Sequence, residues 1–594
     1  MAARRLLGGA AVAAVFLALL AISWRRWPDV LVDFGRELYV PTQLARGKVL
    51  YRDIAHISGP LSQHVNAGIF WILGPSLAAL AGANLLLLAA VTAAIFAIFA
   101  RIHEGSLAPT VACLTFLVFS GFSHATGIGN YNFVCPYAHE LTHGTALGVL
   151  LVLLLGRWLE RGSRGACALG GLVLGLTALT KPEPFVAAVA VTATAFGIRA
   201  FSGDREQLLD DIFCFLAASV APALVFYAHF RRSLDPGPSL RAVLGAFAPL
   251  VSSDVASSHF YVHGMGLDQP GTQLLESLAW TRDVIFLLLA LVLVEQGISR
   301  RRLGRGALGV AMVAFLIFMR GLRPRFLLVP QAFTVVVPML VAASLIRLRH
   351  LRRDPERMTR AALEALWAVF ALALLLKISL RTRAEDYGFA LAMPATVLLA
   401  TKLVGSAPRL PDEPGRKPVL RALLLLVVLV DLGATLSQSA FYYRHKVLPI
   451  GRGPDTFLTY DRGDDPRGAD LVLLLERIEA RVPEGATLVV LPEGVMLNYL
   501  SRRTNPTPYL SFMPPEVAIH GEATMLAALE ASAPDFVVLA HRWTGEYGVD
   551  FFGDPSYGKT ILDWVHARYE RIVRVDHAPF EGQYLHGYEL LRRR

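Results

Sequence analysis

The feature that most constrains this chain is a series of apolar runs, each about as long as a bilayer's hydrocarbon core is thick. A helix rises about 1.5 Å per residue, so roughly 20 residues are needed to cross that core. Runs near 6–24, 78–100, 106–122, 142–156, 166–180, 184–200, 210–229, 282–298, 306–320, 326–346, 361–379, 387–404 and 419–437 approach this length, about thirteen in all. A composition of 54% hydrophobic residues over 594 positions fits such a series. A soluble chain of this length would divide into several domains of ordinary polarity. The first run follows Arg4 and Arg5, lacks a small-residue cleavage site, and reads as a retained signal anchor.

Basic residues give the orientation. Arg4 and Arg5, Arg101, Arg157 with Arg161 and Arg164, Arg199 with Arg205, and Arg300 to Arg302 with Arg305 fall on alternate loops. So do Arg347, Arg349, Arg352, Arg353, Arg357 and Arg360, and then Arg409, Arg416 and Lys417. The positive-inside rule makes these loops cytoplasmic, the N-terminus with them, and everything after about Tyr442 external. The net charge of +10 belongs to these short loops and does not call for nucleic acid. The expected division is a polytopic membrane domain over 1–440 and an extracytoplasmic α/β domain over 441–594. In the latter, strand-like Thr487–Leu491, Phe536–Leu539 and Arg571–Val575 alternate with helical Leu471–Arg481, Glu522–Ala531 and Thr560–Tyr569. Cys113, Cys135, Cys167 and Cys214 show no paired spacing, so neither a disulfide framework nor a zinc knuckle is implied.

The spans are nearly free of charge at mid-depth; Glu364, Arg421 and Asp431 lie toward their ends. Ionisable residues gather instead in the outer loops, which suits chemistry at the interface better than transport. Four outer segments stand out. The first holds Asp33, Arg36, Glu37, Tyr51 and Ser58-Gly59-Pro60; Asp33 and Glu37 are four apart and would share one face of a helix. A carboxylate there can act as general base or hold a divalent cation, or can simply pair with Arg36. The second runs from Asn130 to Gly144 and includes His139, Glu140 and His143. The third is Thr180-Lys181-Pro182-Glu183, whose lysine can meet a phosphate or anchor the interface. The fourth spans Lys377 to Tyr387, with Arg381, Arg383, Glu385 and Asp386.

Two motifs match by letter. His139-Glu140-Leu141-Thr142-His143 satisfies the H-E-x-x-H zinc pattern, which taken literally predicts a zinc-dependent intramembrane protease. No third ligand stands at the expected spacing, and the same side chains could serve another chemistry. Gly553 to Thr560 satisfies the phosphate-loop pattern, yet Pro555 removes a backbone donor and Val549 to Phe552 make a poor buried strand. ATP binding is therefore not expected.

Taken in order, the outer segments resemble the C-type glycosyltransferase superfamily, which includes protein O-mannosyltransferases, the lipid A aminoarabinose transferase and bacterial polyprenyl-phosphate-sugar transferases. The resemblance rests on Asp33 after the first span, Gly47 to Tyr51 with Pro60-Leu61, and the helix from Gly171 running into Lys181-Pro182-Glu183. It departs from the family pattern in having Phe34 where many relatives carry a second acid, and Gly59 where many carry lysine. The resemblance implies an α-helical polytopic enzyme that moves sugar from a polyprenyl-phosphate-linked donor to a lipid, glycan or protein acceptor outside the membrane. It assigns Asp33 and Glu37 to catalysis. It assigns Tyr51, His139, Glu140, His143, Lys181, Glu183, Lys377 and Arg383 to substrate. A divalent metal on Asp33, His139, Glu140 or His143 remains open, and a lipid-glycan flippase or scaffold is the non-enzymatic alternative.

Overall fold

The structure, a computed structural model, describes residues 2–129, 131–201, 207–247, 259–299, 330–351, 353–384, 386–405 and 418–594. The expected span at 306–320 lies outside these residues, as do Asn130, Arg205, Arg300 to Arg302, Arg305, Arg352, Glu385, Arg409, Arg416 and Lys417. Among the described residues ten helices are long and apolar enough to cross a membrane, and Leu107–Gly121 and Arg164–Ala178 are shorter apolar helices. Together they account for the other expected runs.

The bundle has a clear centre. The spans His139–Arg161, Pro355–Ile378 and Tyr387–Gly405 bury 78%, 72% and 67% of their apolar windows, against 17% for Leu208–Phe230. Exposed Leu209, Phe213, Leu216 and Leu224 on that peripheral helix form the kind of continuous apolar surface that a membrane covers. Small residues let the central helices approach. A Cβ at Gly148 would lie 2.5 Å from the ring of Phe370, so glycine is what lets the helix Pro355–Leu375 pack there.

The first loop folds into two helices, α2 (Phe34–Ala45) and α3 (Leu61–Leu73), after the first span α1 (Ala2–Ser23). Phe34, Leu38, Tyr39 and Val40 of α2 are buried. The loop's return strand clasps a distant turn: Gly59 N–H donates to the Thr180 carbonyl (2.8 Å) and Leu61 N–H to that of Leu179 (3.0 Å). A Cβ at Gly59 would stand 2.1 Å from the Leu179 carbonyl oxygen, so no lysine fits where relatives carry one.

The last described span, in the helix Pro418–His445, continues past the expected boundary at 440 before the chain turns to strands. Strands β1 (Lys446–Ile450) and β2 (Phe457–Tyr460) pair antiparallel. Strands β3 (Leu488–Leu491), β4 (Phe536–Ala540), β5 (Tyr569–Asp576) and β6 (Gly587–Arg593) form one sheet in the order β3-β4-β6-β5, with β3 and β4 parallel and the remaining pairs antiparallel. The period of two divides this sheet between two cores. Val490, Val538 and Leu590 meet Leu471, Leu474 and Ile478 of the helix Pro466–Arg481, in a cluster continuous with the membrane bundle. Val489, Val537 and Leu591 meet Met525, Leu529, Ile561 and Val565 on the other face.

This C-terminal region sits directly on the first loop. Leu458 N–H donates to the Arg25 carbonyl (2.7 Å), and Lys446 Nζ to those of Arg26 (3.0 Å) and Pro28 (3.1 Å). Asn505 N–H donates to the Tyr39 hydroxyl at 3.0 Å. Gly35 lies so close to the helix Val495–Ser501 that a Cβ there would be 2.4 Å from Met496 N.

Candidate active site

The site begins with a turn. Asp29, only 3% exposed, accepts from the N–H groups of Leu31 and Val32 (3.0 Å each) and takes two hydrogen bonds from Arg467 (3.2 and 3.0 Å). Burial would raise its carboxyl, but Arg467, the two N–H groups and Lys446 together hold it below the usual range. Four residues on, Phe34 N–H donates to the Val32 carbonyl at 2.7 Å, with Asp33 between them at φ 58° and ψ −59°. This is a strained γ-turn, costing about 1–3 kcal/mol for a residue with a side chain, and such strain collects at functional sites. It also corrects one expectation. Asp33 precedes α2 and does not share a helical face with Glu37.

Asp33 is half-buried where the first loop meets the C-terminal region. Tyr387 reaches its carboxylate, and its N–H lies 3.4 Å from Glu493 Oε1. Arg542 donates to Glu493 (3.1 Å) and Glu546 (2.8 Å). Burial raises the Asp33 carboxyl above its ordinary value despite Arg36, Tyr387 and Arg542, and the nearby Glu37 adds to the rise. Burial likewise pushes Glu493 up to about 7, against Arg542 and with the help of Asp33.

Beneath this turn lies a buried polar network. Glu37 Oε2 stands 2.7 Å from His139 Nδ1 and 3.1 Å from Gln63 Nε2, while Arg36 Nε is 3.2 Å from Oε1. Gln63 Nε2 also donates to Glu140 at 2.9 Å, and His56 Nε2 lies 3.1 Å from the same Glu140 oxygen. His139 Nε2 faces Asn84 at 2.9 Å. Burial and Glu140 would raise the Glu37 carboxyl, but His139 and Arg36 outweigh them and keep it ionised. Glu37 is fully buried and its oxygens are taken, which fits a residue that positions Arg36 and His139 and does not suit one that meets substrate. Tyr51 donates to the Ser58 carbonyl at 2.5 Å and packs on His56 and Phe230, shaping the loop from behind.

The cationic side comes from the turn that clasps Gly59. Lys181 makes no ion pair among the described residues; its Nζ sits 5.4 Å over the Tyr137 ring. Burial lowers its amine, Glu183 opposes this, and Lys377 and Arg36 add to the lowering. Lys377 is already paired with Glu183. Arg383 turns away to Glu276 at 3.3 Å and joins none of these hydrogen bonds.

The two letter-perfect motifs read differently in three dimensions. His139 spends both ring nitrogens, on Glu37 and Asn84, so an ion at the H-E-x-x-H set would have to displace one of them. His143 packs 5.5 Å from the His139 ring, and its Nδ1 is buried without a partner. Among the described residues no group of three or more His, Cys, Asp or Glu is arranged to hold a metal. In the phosphate-loop look-alike, the Glu522 carboxylate accepts from the N–H groups of Gly558 (3.1 Å), Thr560 (2.8 Å) and Ile561 (3.2 Å). It fills the position an incoming phosphate would need. Sequence reasoning did not find Gln63, His56, Asn84 or Arg542. Each is an ordinary polar residue with no motif, and only the fold aims it at the site.

No protein-family model matches the chain, and no curated protein matches it in sequence. Among solved structures it is similar to ArnT from Cupriavidus metallidurans bound to undecaprenyl phosphate. The TM-score is 0.50 and the identity 12%, over 98% of this chain and 97% of that one. It is also similar to the Archaeoglobus fulgidus oligosaccharyltransferase in complex with zinc and sulfate, with a TM-score of 0.49 and 13% identity over 89% of this chain and 67% of that one. The chain thus shares the polytopic membrane fold of ArnT.

Proposed function

We propose that this protein is a membrane glycosyltransferase that takes a hexosyl or pentosyl unit from a polyprenyl-phosphate-linked donor and passes it to an acceptor hydroxyl outside the membrane. The observation that carries this reading is Asp33. A strained turn holds it between the Arg542–Glu493 pair and the Arg36–Glu37 network, at the end of the bundle that carries Lys181. The undecaprenyl phosphate bound to ArnT, which shares this fold, supports a lipid-phosphate donor.

The Asp33 carboxylate takes the proton of the acceptor hydroxyl as that oxygen bonds to the anomeric carbon. The bond from that carbon to the phosphate oxygen breaks, and the polyprenyl phosphate leaves with the electron pair. Lys181, free of any ion pair among the described residues, and Arg36 stand where charge grows on the departing phosphate. Glu37, His139, Gln63 and Glu140 hold Arg36 in place.

Mass spectrometry of envelope lipids and glycans, with and without the protein, tests the reading. One hexose- or pentose-sized unit should be missing in its absence. Asp33→Asn keeps the shape and removes the charge; transfer should fall about a hundred- to ten-thousandfold with normal expression. Full activity in that variant would remove Asp33 from the chemistry.

A further inference from the structure

The reaction above leaves the acceptor unnamed, and a second feature bears on it. A cavity of about 350 Å³ lies behind the Asp33 turn, and its lining includes Leu31, Val32, Glu493, Arg542, Trp543 and Tyr584. Its floor is set by topology. Glu493 follows the end of β3, and His541, Arg542 and Trp543 follow β4, its parallel neighbour. Open α/β sheets bind their ligands beyond the carboxyl ends of such strands. The volume is toward the small end of the range of about 300–1,000 Å³ for small-molecule sites, enough for one or two sugar rings.

Two histidines line this cavity, His541 at 7% and His586 at 6% exposure, and the Nε2 atom of each is buried without a hydrogen-bond partner. Their other nitrogens assign the tautomers. Phe580 N–H donates to His541 Nδ1 at 3.1 Å, so that nitrogen is an acceptor and the proton of the neutral ring is on Nε2. His586 Nδ1 lies 3.3 Å from the buried Asp470 carboxylate, so there the proton is on Nδ1 and Nε2 carries a lone pair. The Gln583 carbonyl interacts with the His541 ring as an acceptor, but too loosely to satisfy Nε2, which has no hydrogen-bond partner of good geometry. With ring centroids 5.9 Å apart, the pair therefore presents one donor and one acceptor.

A hydroxyl satisfies both at once. A metal does not, because it needs a lone pair from each ring and the Nε2 atom of His541 has none to give. The two guanidiniums in the lining, Arg467 and Arg542, are already paired with Asp29 and Asp465 and with Glu493 and Glu546, so no uncompensated positive charge invites an anion. Tyr584, 88% exposed, and Trp543 also line the cavity and offer it aromatic surface. We infer that this cavity binds a saccharide, the acceptor of the transfer, with one hydroxyl bridged between His541 Nε2 and His586 Nε2 and its apolar ring face on the Trp543–Tyr584 wall. Only the acceptor role rests on the reaction proposed above; saccharide binding does not.

The full-length protein in detergent, probed by ligand-observed NMR with methyl glycosides of hexoses, pentoses and N-acetylhexosamines and with simple disaccharides, tests this. At least one saccharide should bind saturably. His541→Phe should weaken it at least tenfold, because a site built to hydrogen-bond a hydroxyl suffers when one of its partners is lost. Tyr584→Ala, at an exposed position that folding does not need, should weaken it several-fold. Asp33→Asn should bind as wild type does while its transfer is lost. Failure of every saccharide to bind the wild type, or wild-type binding in folded His541→Phe and Tyr584→Ala, overturns the inference. Transfer to a peptide or lipid without saccharide binding does the same and leaves the glycosyltransferase reading standing. Saccharide binding without transfer from any lipid-linked donor supports the cavity assignment and sinks the reaction instead.

Discussion

Replacing Arg467 by methionine isolates the clamp that holds the C-terminal region to the first loop. The guanidinium makes two bonds to Asp29, at 3.2 and 3.0 Å, and that carboxylate is 3% exposed. Breaking one partner of such a buried pair costs about 3–5 kcal/mol, because the other charge is left without its counter-ion. Asp29 keeps the N–H groups of Leu31 and Val32 and the nearby Lys446, so the expected cost is near the low end, about 3 kcal/mol. At about 1.4 kcal/mol per factor of ten, the open population rises roughly a hundredfold, and limited proteolysis of the C-terminal region should accelerate to match. The pH dependence has a definite sign. The Asp29 carboxyl is depressed in the folded protein, so its contribution is present above the unfolded value of about 3.9 and is lost as pH falls through the folded one. The gap between wild type and Arg467→Met should therefore be full at neutral pH and close in acid. The Asp29→Asn/Arg467→Met double variant, in which the buried Asp29 charge is no longer stranded, should recover part of the loss. Proteolysis of Arg467→Met at the wild-type rate at pH 7 would refute the clamp.

Glu493 offers the opposite sign. Burial pushes its carboxyl up to about 7, so the stability it contributes is present below about 4.3 and is lost as pH rises through 7. Glu493→Gln should be the more stable protein at pH 8, by about 1–3 kcal/mol, and gain nothing at pH 4; a pH-independent difference in Tm would contradict this. Lys559 pairs only with Asp563 on its own exposed helix face, so Lys559→Ala should change stability by less than about 0.5 kcal/mol and leave activity within about threefold. A hundredfold loss in folded Lys559→Ala would restore the phosphate-loop reading. A reporter active only outside the cytoplasm, fused after Arg594, should be active; activity of a cytoplasmic reporter at that site would invert the proposed orientation.

What could be read from the sequence, and what could not, follows from how far each signal reaches. The apolar runs were legible because a span is a local property of about 20 residues, and the helices stand where those runs do. The strands Leu488–Leu491, Phe536–Ala540 and Tyr569–Asp576 were legible as short β-branched runs between helical patterns. Asp33, Glu37, His139, Glu140 and Lys181 could be nominated as ionisable residues at one end of the spans, and the fold brings them together. Their division of labour was not legible. Whether Glu37 meets substrate or holds Arg36 depends on Gln63 and His139, which reach it from two other helices. The backbone angle that lifts Asp33 out of α2 follows a turn that Asp29 holds through the N–H groups of Leu31 and Val32, and no turn signature announces it. Gly59 looked like a lost lysine until the Leu179 carbonyl explained why nothing larger fits.

The clamp between Asp29 and Arg467 joins residues 438 positions apart. A ribosome adding about 5–20 residues per second needs roughly 20–90 s to make the chain between them. Throughout that time the first loop stands finished but uncovered, with Asp33 free of the contacts that hold its turn. A chain interrupted before Arg467 therefore lacks the partner of Asp29, because the last quarter of the polypeptide completes the geometry of the first loop.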